Sequence, residues 1–459
     1  MSDSSDRENF DVEKKFQKKR KNKNSNKTKD NKKKLSQIDK EEISEISNLI
    51  DNFNALFLDE KTKPSERKLI EFTKKYFVDY SEENDDNTLN YKLFIVFIVK
   101  LCGLEIEIED KEEIQKFLKI KNSNFTEQEF INDLIKNCKL RTAKIKIYLI
   151  TSSLNSITQV IYNSFEIIKE NEFEKFKNFI ISIMKLSNNK YRQLRYVSCI
   201  ILSKIFELLF NEISKTKKIV KEKTKVIENS QKPISQGTLT LLKNKIEILN
   251  ELIILLKENF IIKKINDISK EIRTIIAETL YKISKKNFNL LFCDSKLIQL
   301  FPYVLNDPNL SIRIKYLTLL YDKISELNNE DNEEEEKENE ENKENKSNNS
   351  SSEKIKNNIG NLEEEKEESL KLIMKIFSLI KDILLSICID EDNNLSKIGI
   401  QIIELLSNQK ILEIKTINQL LPHLFNPELG IRILISKIII SYILNFENKN
   451  ENKKYIQFN

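Results

Sequence analysis

The sequence predicts an all-α fold, a curved rod of stacked helix pairs, and three observations predict it. Apolar residues recur at three- and four-residue spacing from about residue 41 to 325 and again from about 369 to 446. The 459 residues include only 5 Gly and 6 Pro, less punctuation than turn-rich β architectures or Gly-dependent nucleotide folds need. One helix pair also occurs twice: LFPYVLNDPNLSIRIKYLTLL at 300–320 matches LLPHLFNPELGIRILISKIII at 420–440.

In both copies a Pro sits in the first helix, Asn and Pro form the turn, and Ile-Arg-Ile opens the second helix. Pro308 and Pro427 can each start a helix, where a missing N–H costs nothing. Arg313 and Arg432 follow five residues later. A turn Pro or Asp followed by such an Arg is the signature of HEAT/armadillo-type α-solenoids. Each pair has an apolar face that it cannot bury alone, so pairs stack.

Residues 1–40 are polar and Lys/Asn-rich and read as a disordered basic tail, with KKFQKKRK resembling a nuclear import signal. From 41 to 326 amphipathic stretches follow one another. Phe94, Phe97, Ile98 and Leu101 mark a helix ending at Cys102-Gly103, and Thr126 with Glu129 forms a capping box. Further helical stretches are read at 141–166, 173–187, 192–215, 237–260, 266–286, 295–305 and 309–326. Residues 327–367 are acidic and nearly devoid of apolar side chains, which predicts a disordered insertion. Helical repeats resume over 368–446, and 447–459 is a polar tail.

Composition excludes several functions. Apolar residues at 39% supply a large core, and charged residues at 32% supply solvated faces. The net charge of +5 is unevenly placed, with a basic run at 14–34 and the acidic one at 327–367. Lys and Asn are enriched throughout, so Lys content alone does not mark a nucleic-acid partner. Cys102, Cys138, Cys199, Cys293 and Cys388 lie far apart in apolar helical contexts and read as buried, reduced thiols. The polar N-terminus predicts no signal peptide, and no apolar run reaches about 18 residues, so no membrane span is expected. A single histidine, His423, cannot build a His-ligated metal site. No phosphate-cradling Gly loop and no GxSxG, HExxH or kinase motif set occurs. A non-enzyme without cofactor or metal is therefore expected.

The window 259–327 carries a more specific pattern. It opens with Phe260-Ile261-Ile262, then Lys263-Lys264, Asp267 and Glu271-Ile272-Arg273, and it continues to Asp294-Ser295, Leu297 and Asp307 before Ile312-Arg313. This resembles the stromalin conservative domain of the stromal antigen (stromalin) family, the HEAT-repeat subunit of cohesin. Three collinear segments extend the resemblance from about residue 65 to 445. They are LFIVFIVKLCG at 93–103, YRQLRYVSCIILSKI at 191–205 with Arg192, Arg195, Ser198 and Lys204 in register, and 380–406. The chain departs from the family in having no Trp, in the acidic insertion, and in ending where family members continue with further repeats.

The resemblance implies a divergent, shortened structural subunit of cohesin. Such a subunit binds kleisin along its repeats, meets coiled-coil SMC ATPases indirectly, and contacts double-stranded DNA on nuclear chromosomes during sister chromatid cohesion and chromosome segregation. It implies a DNA-binding surface at Arg192, Arg195, Lys263 and Lys264. It also implies a partner-binding pocket at Ile283, where the family has a Trp. Arg273 and Arg313 read instead as structural, bonding helix ends inside the repeats. A generic HEAT/armadillo scaffold or transport adaptor is the alternative.

Overall fold

A computed structural model describes residues 66–74, 95, 98–99, 102, 104–107, 139–142, 151–229, 236–293, 295–344, 352–408 and 418–450. The basic tail 1–40, the capping box at 124–130, Cys138 and residues 451–459 lie outside the described residues. The chain divides into two compact units, Met1–Ser164 with Tyr191–Val197, and Phe165–Lys190 with Ser198–Asn459.

In the first unit α1 (Glu66–Thr73) packs on α2 (Thr151–Ser164). Ile95, Ile98, Val99 and Cys102 are buried; of the stripe read in the sequence Ile98 is among them, and Phe94, Phe97 and Leu101 lie outside the described residues. Past Gly103 the helical expectation fails. β1 (Leu104–Glu107) pairs antiparallel with β2 (Lys139–Thr142), Leu104 opposite Thr142 and Glu107 opposite Lys139. LEIE alternates apolar and acidic residues, a period of two that suits a half-buried strand. The stretch expected to be helical from 141 therefore begins as strand, and helix is described over Thr151–Ser164.

The second unit is a stack of helix pairs. α3 (Glu170–Ser187) places Glu170 and Glu172 in its first turn and Lys185 in its last, matching the helix dipole. α4 (Arg192–Asn229) begins in the first unit and continues here. α5 (Gln236–Leu256) runs through a π-helical turn, Lys257–Ile261, into the short helix Ile262–Lys264. α6 (Lys270–Phe292) is interrupted at Asn287, whose φ −141° and ψ 45° are not helical. The short helices α7 (Ser295–Ile298) and α8 (Phe301–Leu305) precede α9 (Leu310–Glu344). Then come α10 (Ser352–Ile387), α11 (Asn393–Asn408), a 3₁₀ turn at Leu421–Phe425 and α12 (Leu429–Asn450). The second helices of successive pairs form one row, α6 on α9, α9 on α11 and α11 on α12, with α8 against α10 in the other layer.

The core is largely aliphatic, and an aromatic file crosses it. Phe288, Phe292, Phe301 and Tyr316 follow one another at ring separations of 5.0, 5.2 and 5.6 Å. The file joins α6, α8 and α9, which makes it a junction between two repeats rather than a core inside one. Tyr316 is fully buried, its hydroxyl has no hydrogen-bond partner among the described residues, and burial pushes its pKa up.

The segment 327–367, expected to be disordered, is helical over its described residues: 327–344 continue α9 and 352–367 belong to α10. The compositional argument tests only whether a segment can bury a core. Here both helices are already nucleated by packing, so elongating them through Glu and Lys, which are good helix formers, needs no core. Burial also separates the cysteines. Cys102, Cys199 and Cys388 are buried, but Cys293, at the end of α6, is exposed. Burial holds the Cys388 thiol protonated, its pKa pushed up to about 12.

Candidate binding surface

Four turns between paired helices share one construction. At each, an Asp or Asn side chain accepts a hydrogen bond from the backbone N–H two residues on: Asp267 from Ser269 (3.0 Å), Asp307 from Asn309 (2.7 Å), Asp390 from Asp392 (3.0 Å) and Asn426 from Glu428 (2.9 Å). The short polar side chain stands in for a turn of backbone and satisfies donors at the next helix start. Six residues after each turn residue come Arg273, Arg313, Ser396 and Arg432.

The arginines tie the turns together. Arg273 donates from Nη1 to the Asp267 carbonyl of its own turn at 2.7 Å. Its Nε and Nη2 reach both carboxylate oxygens of Asp307 in the next turn, at 2.6 and 3.1 Å. Arg313 donates to Asp390 at 2.9 Å, across 77 residues. Arg432 reaches back to the carbonyls of Asn426 and Pro427. The structural role expected of Arg273 and Arg313 is thus larger than a bond inside one repeat, because each locks its repeat to the following one. At the third junction Ser396 and Asn426 cannot make such a pair, and Lys397 with Glu428 replaces it one helical step away.

The Asp392 N–H, and then Arg313, hold the Asp390 carboxyl below the usual carboxylate range, against the opposing effect of its burial. A carboxyl whose folded-state pKa is lowered contributes its stability above the unfolded pKa and loses it as pH falls through the folded value. The junction between α9 and the α10–α11 pair should therefore loosen in acid, below the ordinary carboxylate range. Hydrogen exchange of the α11 amides as a function of pH checks this. Asp390→Asn should flatten the acid dependence, and an unchanged profile in that variant would assign the dependence to other groups.

The residues singled out for DNA do not behave alike. Arg192 is exposed at the start of α4, and Arg195, one turn on, is half-buried. Lys263 is exposed, its ammonium 3.2 Å from the Asn259 side chain. Lys264 is only 6% exposed and pairs with Asp267 at 3.3 Å. It braces the first turn of the series and is withdrawn from the surface. Ile283 is 2% exposed, on the face of α6 shared with Ile276 and Leu280, and it fills core instead of lining a pocket. Among the described residues no group of three or more His, Cys, Asp or Glu could hold a metal ion, and no helix is long and apolar enough to cross a membrane.

A further basic run lies apart from the residues expected to contact DNA. α4 carries Lys215, Lys217, Lys218, Lys221, Lys223 and Lys225 within eleven residues, against the one acid Glu222. The signal was legible as a run, but the Lys-rich background hid it.

No protein-family model matches the chain, and no curated protein matches it. Among solved structures the chain is similar to the cohesin subunit Scc3 from Z. rouxii, with a TM-score of 0.53 and 13% identity over 88% of this chain. The chain is an α-solenoid. It spans 43% of that Scc3 structure. Two designed armadillo repeat proteins, one in complex with the peptide (KR)4, overlap 71% and 65% of the chain and 98% and 94% of their own. Both are 10% identical to it, with TM-scores of 0.34 and 0.32.

Proposed function

We propose that this solenoid is a non-catalytic structural subunit of a cohesin-type complex. It holds an extended segment of kleisin along its repeats, contacts duplex DNA, and works on chromosomes in the nucleus in sister chromatid cohesion. Kleisin would link it to the coiled-coil SMC ATPases. The observation that carries this reading is a coincidence of sequence and geometry. Asp267, Arg273, Asp307 and Arg313, which carry the stromalin-like window, are also the residues that join consecutive turns of the stack. The Scc3-like fold supports the same reading.

Stacked helix ends and grooves suit an extended or helical peptide that orders as it binds. A pulldown with the full chain tests the proposal. The organism's kleisin should be retained, with the SMC subunits present only when kleisin is. A chain that keeps its helicity but retains no kleisin would leave the generic HEAT/armadillo scaffold as the surviving account.

A further inference from the structure

A groove of about 550 Å³ lies where α4, the end of α6, α9 and residues 366–369 of α10 meet. Six lysines line it: Lys217, Lys218, Lys221, Lys286, Lys323 and Lys366. Only Glu326 and Glu368 oppose them, which leaves the lining at +4. Lys323 is tied to Glu326 at 3.0 Å. Lys217, Lys218 and Lys286 are exposed and make no ion pair among the described residues. The floor includes Asn287, where α6 is interrupted, and Asn289, whose amide oxygen accepts a 2.7 Å hydrogen bond from the Ser369 hydroxyl of α10.

The shape of the charge selects the ligand class. A compact polyanion would be matched by cations confined to the cavity. Here the lysines run on along α4 through Lys221 to Lys225, about 12 Å of helix from Lys217. A cationic stripe that enters a groove and continues past it fits an extended backbone of evenly spaced phosphates.

Helix α9 supplies a second element. It leaves the rim of this groove at Glu326 and Leu327 and continues as helix through residues 328–344. That extension holds ten acidic and two basic residues, a net charge of −8. A segment of net negative charge is therefore joined directly to the edge of a polycationic groove, and repulsion between like charges acts within a Debye length, about 8 Å at physiological salt.

We propose that the groove at Lys217, Lys218 and Lys286 binds the phosphodiester backbone of duplex DNA, and that the acidic extension of α9 competes with it. Base edges play no part, so binding is independent of sequence. The choice of duplex as the polyanion rests on the cohesin-type reading, whereas the groove and its opposing helix do not.

The test is anisotropy of the full chain on two unrelated duplexes across a salt series, with kleisin retention measured on the same proteins. The triple variant Lys217→Glu, Lys218→Glu, Lys286→Glu should lower the magnitude of the log–log salt slope by about three and weaken binding about a hundredfold at physiological salt, equally on both duplexes. Changing the ten acidic residues of 328–344 to Gln preserves helix propensity. It should tighten binding several-fold, and that gain should shrink in the triple variant. A triple variant of unchanged helicity that keeps affinity and slope overturns the groove. If that variant still retains kleisin, the cohesin-type reading stands without it. An acidic-to-Gln variant with unchanged affinity overturns the competition. If the triple variant loses binding to polyglutamate but not to duplex, the groove is a site for acidic protein and the proposal is wrong.

Discussion

Lys264→Glu should destabilise the second unit by about 3–5 kcal/mol, while Lys263→Glu beside it changes stability by less than about 0.5 kcal/mol. Lys264 is buried against Asp267, and its side chain and that of Asp267 are 7% and 9% exposed. The reversal sets two carboxylates together where water cannot screen them, at the turn whose Asp267 carbonyl receives Arg273. Lys263 faces solvent and gives up only a contact to Asn259. Chemical denaturation followed by circular dichroism reads both. A Lys264→Glu protein as stable as the parent would mean that this pair does not brace the turn. The prediction matters for testing the proposed function, because any loss of DNA binding in a double reversal at 263 and 264 would reflect unfolding rather than a lost contact. Lys263 alone, or the lysine groove, gives an interpretable experiment.

Asp307→Ala should cost a similar amount, about 3–5 kcal/mol, and the loss should appear as uncoupling of two repeats rather than as uniform weakening. Asp307 accepts from Nε and Nη2 of Arg273 and from the Asn309 N–H, and the Arg273 and Asp307 side chains are 13% and 8% exposed. Alanine leaves the guanidinium buried with only the carbonyls of its own turn. In a solenoid the energy of such a contact belongs to the interface between neighbours, so protection of α6 amides should fall out of step with that of α9 amides in native-state hydrogen exchange. A double-mutant cycle with Arg273→Ala isolates the pair, and near-additive losses would show that the two residues act separately. Arg313 with Asp390, each about a quarter exposed, should show a smaller coupling.

The repeat construction was partly legible in the sequence. The matched segments at 300–320 and 420–440 give two of the four Asx turns, and the six-residue step from Asp307 to Arg313 recurs from Asp267 to Arg273. The turn at Asp390 was hidden because Ser396 stands where its neighbours have Arg. The partners were not legible. Asp307 lies 34 residues from Arg273, and Asp390 lies 77 from Arg313 with the acidic segment between them, so no local spacing joins them. The basic groove draws on four helices, and only the α4 lysines form a run along the chain.

The helical period, the scarcity of Gly and Pro, and the Asx-to-Arg turns determine, from sequence alone, that this chain is a stack of helix pairs. Each is a local or regularly repeated property, and a solenoid is the fold in which local regularity is nearly sufficient. Tertiary structure decided what depends on phase and on distant partners. Residues 263 and 264 are chemically alike but about 100° apart around a helix, and the π-helical turn at Lys257–Ile261 shifts the apolar face just before them. One lysine therefore meets water and the other an aspartate. Ile283 fills core because Ile276 and Leu280 share its face of α6, and residues 327–344 are helical because α9 is already anchored by packing. In each case the side chain's role was set by what the rest of the stack brought beside it.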